Sequence, residues 1–218
     1  FGEGCYFAGY DVALPTEYAY KSKSEGGIWE EGDLRRDESI RYDFTYLGIT
    51  PTEVSWGADE LDPHIKKYED ERTDQFNGNL ANEWYSGKNF IVLRYADVLL
   101  CYAECLNELG ETGQANTIVN QVRARAWGGT LPNEMAWNYG QDEFRTQIMN
   151  ERIRELCFEG WRRMDLIRTG KFVELIKERN SWAKKSGTIK DFHMRYPIPD
   201  TEIKNNDDIS EEDQNPGY

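Results

Sequence analysis

Forty carboxylates, two histidines and four cysteines carry whatever acid–base, nucleophilic or metal chemistry this 218-residue chain can perform. Paired carboxylates are the machinery of glycoside hydrolysis. With so many acids, some pair lies at catalytic distance by number alone, so the count says nothing. No motif sets an acid and a base on one scaffold, and no nucleophile signature accompanies His64 or His193. The residues therefore predict no catalytic centre: this is not an enzyme, and it takes no cofactor. Cys5, Cys101, Cys105 and Cys157 have no metal-ligand spacing with either histidine. Cys101 and Cys105 share a helix face and read, with Cys157, as small apolar core residues. The acidic tail (Asp207, Asp208, Glu211, Glu212, Asp213) lacks the glycine and alternating ligands of a calcium loop and reads as a solvated face. No metal site is expected.

Arginines supply the other chemistry. Glu151, Arg152, Arg154, Glu155, Glu159, Arg162, Arg163 and Asp165 crowd one segment. A planar guanidinium binds a carboxylate through two hydrogen bonds, which suits fixed, partly buried pairs. We read an ion-pair lattice pinning helix to helix, with Arg152, Arg154 and Glu159 all paired. Arg94 and Asp97, three apart, can pair along their own helix.

Charge narrows the partners. A formal net charge of −14 excludes a nucleic-acid binder, which needs a basic footprint. The longest apolar runs, such as Phe90–Leu93 and Val98–Cys101, are far too short to span a bilayer. The chain opens at Phe1 without a methionine or signal peptide and reads as a fragment or processed product.

The elements that must position these groups divide near residue 89. Residues 1–89 are aromatic, acidic and broken by glycines and Pro15, Pro51 and Pro63, which predicts loops, short strands and one short helix. Over 90–185 the pattern turns helical. Leu93, Ala96, Leu99, Leu100, Ala103, Leu106 and Leu109 lie at helical spacing and Gly110 caps them. Ala115, Ile118, Val119, Val122 and Ala126 mark a second helix, so the two form a hairpin the size of a tetratricopeptide repeat. After a loop over about 127–141, Phe144, Ile148, Met149, Ile153, Leu156 and Cys157 mark a third helix. Gly160 and Trp161 interrupt it, Met164, Leu166 and Ile167 continue it, and Gly170 stops it. A fourth helix is predicted over about Phe172–Ala183, and an extended, acidic tail over 186–218. The fold class is mostly α: tetratricopeptide-like helix pairs with an irregular, loop-rich N-terminal part and an extended C-terminal tail.

Several ordered motifs carry a resemblance. Leu93-Arg94-Tyr95-Ala96-Asp97-Val98-Leu99-Leu100 with Tyr102-Ala103-Glu104 resembles the hallmark helix of the SusD/RagB family. Asn150-Glu151-Arg152-Ile153-Arg154-Glu155-Leu156 resembles a second family segment, with Phe158-Glu159-Gly160 and Asp165-Leu166-Ile167-Arg168 after it. Tyr196-Pro197-Ile198-Pro199, Glu202-Ile203, the closing Gln-Asn-Pro-Gly-Tyr, Pro15-Thr16 and Gly32-Asp33-Leu34-Arg35-Arg36-Asp37 follow the family order too. The resemblance covers nearly the whole chain. It implies the C-terminal domain, without the N-terminal repeats, of a surface-exposed outer-membrane lipoprotein. Such a protein binds glycan without catalysis and partners a SusC-like TonB-dependent transporter. Its membrane contact is a lipid anchor on the missing N-terminus. Peptide or other nutrient cargo, or a helix-repeat adaptor that only docks the transporter, are the alternatives.

A sugar presents apolar C–H faces and polar edges, so its site wants flat aromatics with carboxylates and amides at the rim, held by loops. Under this resemblance the candidate ligand-binding residues are Tyr6, Phe7, Tyr10, Trp29, Trp56, Trp84 and Tyr85. The 127–141 loop adds Trp137 and Tyr139, and Asp11, Glu30, Asn82 and Asn138 are polar partners.

Overall fold

The computed structural model describes residues 14–42, 62–69 and 88–218, and nearly all of their regular structure is helical. In chain order the elements are α1 (Glu17–Tyr20), α2 (Arg35–Ser39), β1 (Ile40–Arg41), β2 (His64–Ile65), α3 (Tyr95–Glu108), α4 (Thr112–Ala126), α5 (Gln141–Leu156), α6 (Trp161–Arg168), α7 (Phe172–Arg179), α8 (Ser181–Ser186) and α9 (Asp200–Asn205). The two short strands pair antiparallel, Ile40 opposite Ile65. The described residues fall into two compact units, one ending at Arg162 and one running from Arg163 to Tyr218.

The predicted hairpin is α3 and α4. Gly110 ends α3 with a left-handed φ of +84°, and the Glu111 N–H bonds back to the Leu106 carbonyl at 2.8 Å. A β-carbon disfavours that conformation, which is why glycine stands there. The facing stripes of α3 and α4 bury Leu100, Ala103 and Leu106 against Ala115, Val119 and Val122, and α5 adds Phe144, Ile148 and Leu156. A smaller core gathers Ile28, Trp29, Ile40 and Cys157. Asn107, fully buried in α3, ties the hairpin to the start of α5: its amide donates to the Gln141 carbonyl at 3.1 Å and accepts from Thr112 Oγ1 at 2.9 Å.

The third helix ends at Leu156, and Phe158 (φ +64°) and Gly160 (φ +85°) break the helical backbone before α6. The predicted fourth helix is two. Asn180 breaks it, its side chain capping α8 by accepting from the Ala183 N–H at 2.9 Å. Asparagine competes for backbone groups in this way more readily than it extends a helix.

The second unit is built on aromatic and amide contacts. The Arg163 guanidinium lies over the rings of Phe172 and Tyr196, at 4.6 and 4.3 Å. The closing Gln-Asn-Pro-Gly-Tyr zips onto the Tyr196–Pro199 segment. Gln214 exchanges two hydrogen bonds with the Ile198 backbone and Asn215 donates to the Tyr196 carbonyl at 2.7 Å. Gly217 has φ +100°, and a β-carbon there would sit 2.5 Å from the Phe192 ring. The tail is less uniformly extended than predicted, since α9 and short helical turns at Asp191–Met194 and Glu211–Asp213 punctuate it.

Two expectations about α3 change. Cys101 and Cys105 are exposed, and of the cysteines among the described residues only Cys157 is buried. Asp97 reaches across to Arg152 on α5 at 2.8 Å rather than along its own helix to Arg94. Tyr95, Val98, Tyr102 and Leu109 also face outward, Tyr95 74% exposed, so α3 is apolar on two faces. Among the described residues, no helix is long and apolar enough to cross a membrane.

Candidate binding site

Two loops meet over α4 in the first unit. The first, Lys21 to Glu31, folds on itself: Lys23 N–H donates to the Trp29 carbonyl at 2.6 Å and Gly27 N–H to the Ser22 carbonyl at 2.8 Å. The turn is so tight that a β-carbon on Gly27 would fall 2.0 Å from the Lys21 carbonyl oxygen. The second loop joins α4 to α5 and is held by amides. Asn120 and the Trp137 backbone exchange bonds of 3.0 and 2.8 Å; Asn116 and the Tyr139 backbone exchange bonds of 2.9 and 3.1 Å. The two asparagines are one turn apart on α4 and so read alternate residues of an extended strand-like segment. A side-chain amide carries both a donor and an acceptor, which lets one residue satisfy both backbone groups.

Beneath the loops lies the ion-pair lattice. Glu151, fully buried on α5, accepts from Arg35 at 2.7 Å, Arg123 at 2.9 Å and Arg154 at 2.7 Å. Glu155 accepts from Arg35 at 3.0 Å, Arg94 at 2.5 Å and Arg125. Arg94 continues to Glu159 at 2.8 Å, which Lys67 also meets. Arg35 is clamped by Asp33 through two bonds of 2.7 and 2.9 Å. Arg152, Arg154 and Glu159 are thus all paired. Burial pushes the Glu151 carboxyl up, but the Arg35, Arg154 and Arg123 guanidiniums outweigh it and hold the group well below the usual carboxylate range. Glu155 is lowered against burial in the same way by Arg35 and Arg94.

Arg123 carries the lattice to the surface. It is 1% exposed, and its other contacts are Glu30 at 2.6 Å and the Met135 carbonyl at 2.8 Å. One guanidinium thereby fixes a residue from each loop. Between the loops opens a hollow of about 410 Å3, with Trp29, Glu30 and Arg123 among the lining residues, Ser22, Lys23, Ser24 and Glu31 on one loop and Glu134, Met135, Ala136 and Tyr139 on the other. That volume is within the roughly 300–1,000 Å3 of small-molecule sites. Burial and then the Glu30 carboxylate push the Tyr139 phenol up, so it remains a neutral hydroxyl. The groups offered are carboxylates, hydroxyls, the Lys23 ammonium and one half-buried ring: this is hydrogen-bonding chemistry. Among the described residues, no cluster of three or more His, Cys, Asp or Glu side chains is placed to hold a metal.

Of the aromatic candidates, Trp29 lies among the described residues, and Tyr6, Phe7, Tyr10, Trp56, Trp84 and Tyr85 lie outside them. Trp29 is 2% exposed and donates from Nε1 to the Ala19 carbonyl at 2.6 Å; it meets the hollow as a buried wall. Trp137 belongs to the core, whereas Tyr139, two residues on, lines the hollow. Glu30 is spent in the lattice, Asn138 is exposed on its loop, and Asp11 and Asn82 lie outside the described residues. Sequence reasoning missed Asn116, Asn120 and Arg123. Their spacing on one face of α4 was visible, but the loop backbone they read was not.

Compared with known protein families, residues 14–218 match the SusD family model. The chain belongs to the SusD family. Its relatives include SusD-like protein P2 of Formosa agariphila, 31% identical across 98% of this chain and 41% of the relative. SusD-like protein P38 of the same organism is 40% identical over 68% of this chain and 28% of its own length. The starch-binding protein SusD of Bacteroides thetaiotaomicron is 28% identical across 95% of this chain and 37% of that protein. The chain therefore spans well under half the length of the curated relatives it matches. Among solved structures, a SusD homolog from Bacteroides thetaiotaomicron superposes with a TM-score of 0.67 at 26% identity, covering 86% of this chain and 41% of that one. NanU of B. fragilis shares the fold, with a TM-score of 0.53 at 24% identity, over 88% of this chain and 37% of its own. SusD family proteins are non-catalytic binding proteins.

Proposed function

We propose that this SusD-family chain is part of a surface-exposed outer-membrane lipoprotein. It binds glycan without chemistry and delivers it to a SusC-like TonB-dependent transporter. The observation that carries the reading is the family match over residues 14–218. The similarity to a starch-binding protein supports glycan as cargo. The local chemistry is consistent with it. Carboxylates, hydroxyls and a half-buried tyrosine suit a sugar's polar edges and apolar face, and rigid walls lower the ordering cost of binding. Tyr6, Phe7, Tyr10, Trp56, Trp84 and Tyr85 remain the proposed aromatic platforms, with Trp29 supporting the wall.

Affinity electrophoresis of the intact protein against plant, host and microbial polysaccharides tests this. Retardation by at least one polysaccharide is expected. If none retards it while peptide cargo binds, or if the protein co-purifies with a transporter yet binds no glycan, the glycan reading is wrong.

A further inference from the structure

We propose that the hollow between the 21–31 and 133–139 loops is a subsite for one uncharged sugar residue of the bound glycan, and that it rejects uronates and sulfated sugars. The proposal rests on the glycan-binding reading above and adds a place and a selectivity to it.

The charges decide the selectivity. Glu30, Glu31 and Glu134 line the hollow against Lys23 and Arg123. Arg123 is fully engaged, holding Glu30, Glu151 and the Met135 carbonyl. Glu30 faces three cations, Arg123 at 2.6 Å, Arg154 at 3.7 Å and Lys23 at 4.0 Å. Glu31 and Glu134 enter no ion pair among the described residues. Two uncompensated carboxylates thus border a cavity whose cations already face Glu30. An anionic sugar placed there would meet like charge on both loops. A neutral sugar meets no such penalty. Its hydroxyls can donate to Glu31 and Glu134, and bonds to an ionised acceptor are the stronger kind.

The walls supply the remainder. Tyr139 is half-buried against the core, which leaves part of its ring for a C–H face. Its backbone is locked to Asn116 and the opposite loop to Arg123, so the cavity exists before any ligand arrives. Preorganisation of this kind turns contact into affinity.

The test uses the intact protein in native affinity gels. The probes are the neutral polysaccharide that retards it most and, in parallel, polygalacturonate and chondroitin sulfate. The variants are Tyr139→Ala, Tyr139→Phe and the double variant Glu31→Gln with Glu134→Gln, each checked by circular dichroism. The wild type should be held by the neutral polymer and run freely through both acidic ones. Tyr139→Ala should weaken retention about tenfold, the loss of a stacking contact, with Tyr139→Phe largely restoring it. The double glutamine variant changes only exposed rim residues, so it should fold normally and lose several-fold. Retention by acidic polymers equal to the neutral one would overturn the selectivity. Unchanged retention of both Tyr139→Ala and the double variant would remove the hollow from the site while leaving glycan binding intact. If no glycan retards the wild type, the functional reading fails and the subsite with it.

Discussion

Glu151 shows how much one side chain holds. It is a buried carboxylate facing three guanidiniums that come from α2, from α4 and from its own helix. Replacing it with glutamine removes the carboxylate that the three arginines share, leaving Arg35 to Asp33 and Glu155 and Arg123 and Arg154 to Glu30. Breaking a buried pair from one side costs about 3–5 kcal/mol. We predict that Glu151→Gln lowers stability by that order in chemical unfolding, whereas Glu134→Gln on the exposed rim stays within about 0.5 kcal/mol. Gly27→Ala should also destabilise, because its β-carbon would overlap the Lys21 carbonyl; a melting temperature equal to wild type would show that the turn relaxes freely. The presence of the lattice was legible in the sequence, since alternating Glu and Arg on one helix announce pairing. Its wiring was not. Arg94 and Asp97 can pair by spacing alone, yet each turns to α5, because long-range partners are invisible to a rule about neighbours on one helix.

At the scale of elements, α4 is the member that places the site. Its buried face packs the hairpin, while Asn116, Asn120 and Arg123 hold the loop that carries Tyr139. Truncating Asn116 leaves the Tyr139 N–H and carbonyl to find other partners, at a cost of about 1–3 kcal/mol per unsatisfied buried group. Asn116→Ala should therefore lower the melting temperature and speed hydrogen exchange at Tyr139. Exchange as slow as wild type would show that the loop holds itself. The outer face of α3 makes the opposite prediction. Val98→Thr and Tyr102→Gln touch exposed positions and should move the melting temperature by no more than about 2 °C, which is the scale of a surface change in a domain of this size. A larger loss would mean that this stripe is covered. The helices themselves were legible from apolar spacing and glycine stops. The break at Asn180 and the turns of the tail were not, because they are set by side-chain capping rather than periodicity.

For the whole molecule, the buried carboxylates link folding to pH. Glu151 and Glu155 have folded pKa values below their unfolded value of about 4.3. Their contribution is fully present above that value and is lost as pH falls through the depressed folded pKa values. Melting temperature should be flat from about pH 7 to pH 5 and fall steeply below about pH 4, and Glu151→Gln should flatten that fall. The family was readable from ordered motifs, and in this chain those motifs build the lattice and the C-terminal zipper. The candidate site was less readable, since aromatic residues serve cores and sugars alike: Trp29 went to a wall and Tyr139 to the lining of the hollow. The most direct measurement of the central claim is calorimetric titration of the intact protein with oligosaccharides from the polysaccharide that retards it, followed by sizing of the sugars recovered. A saturable heat and oligosaccharides of unchanged length are expected. No heat with any glycan, or shortened chains in the recovered pool, would contradict that claim.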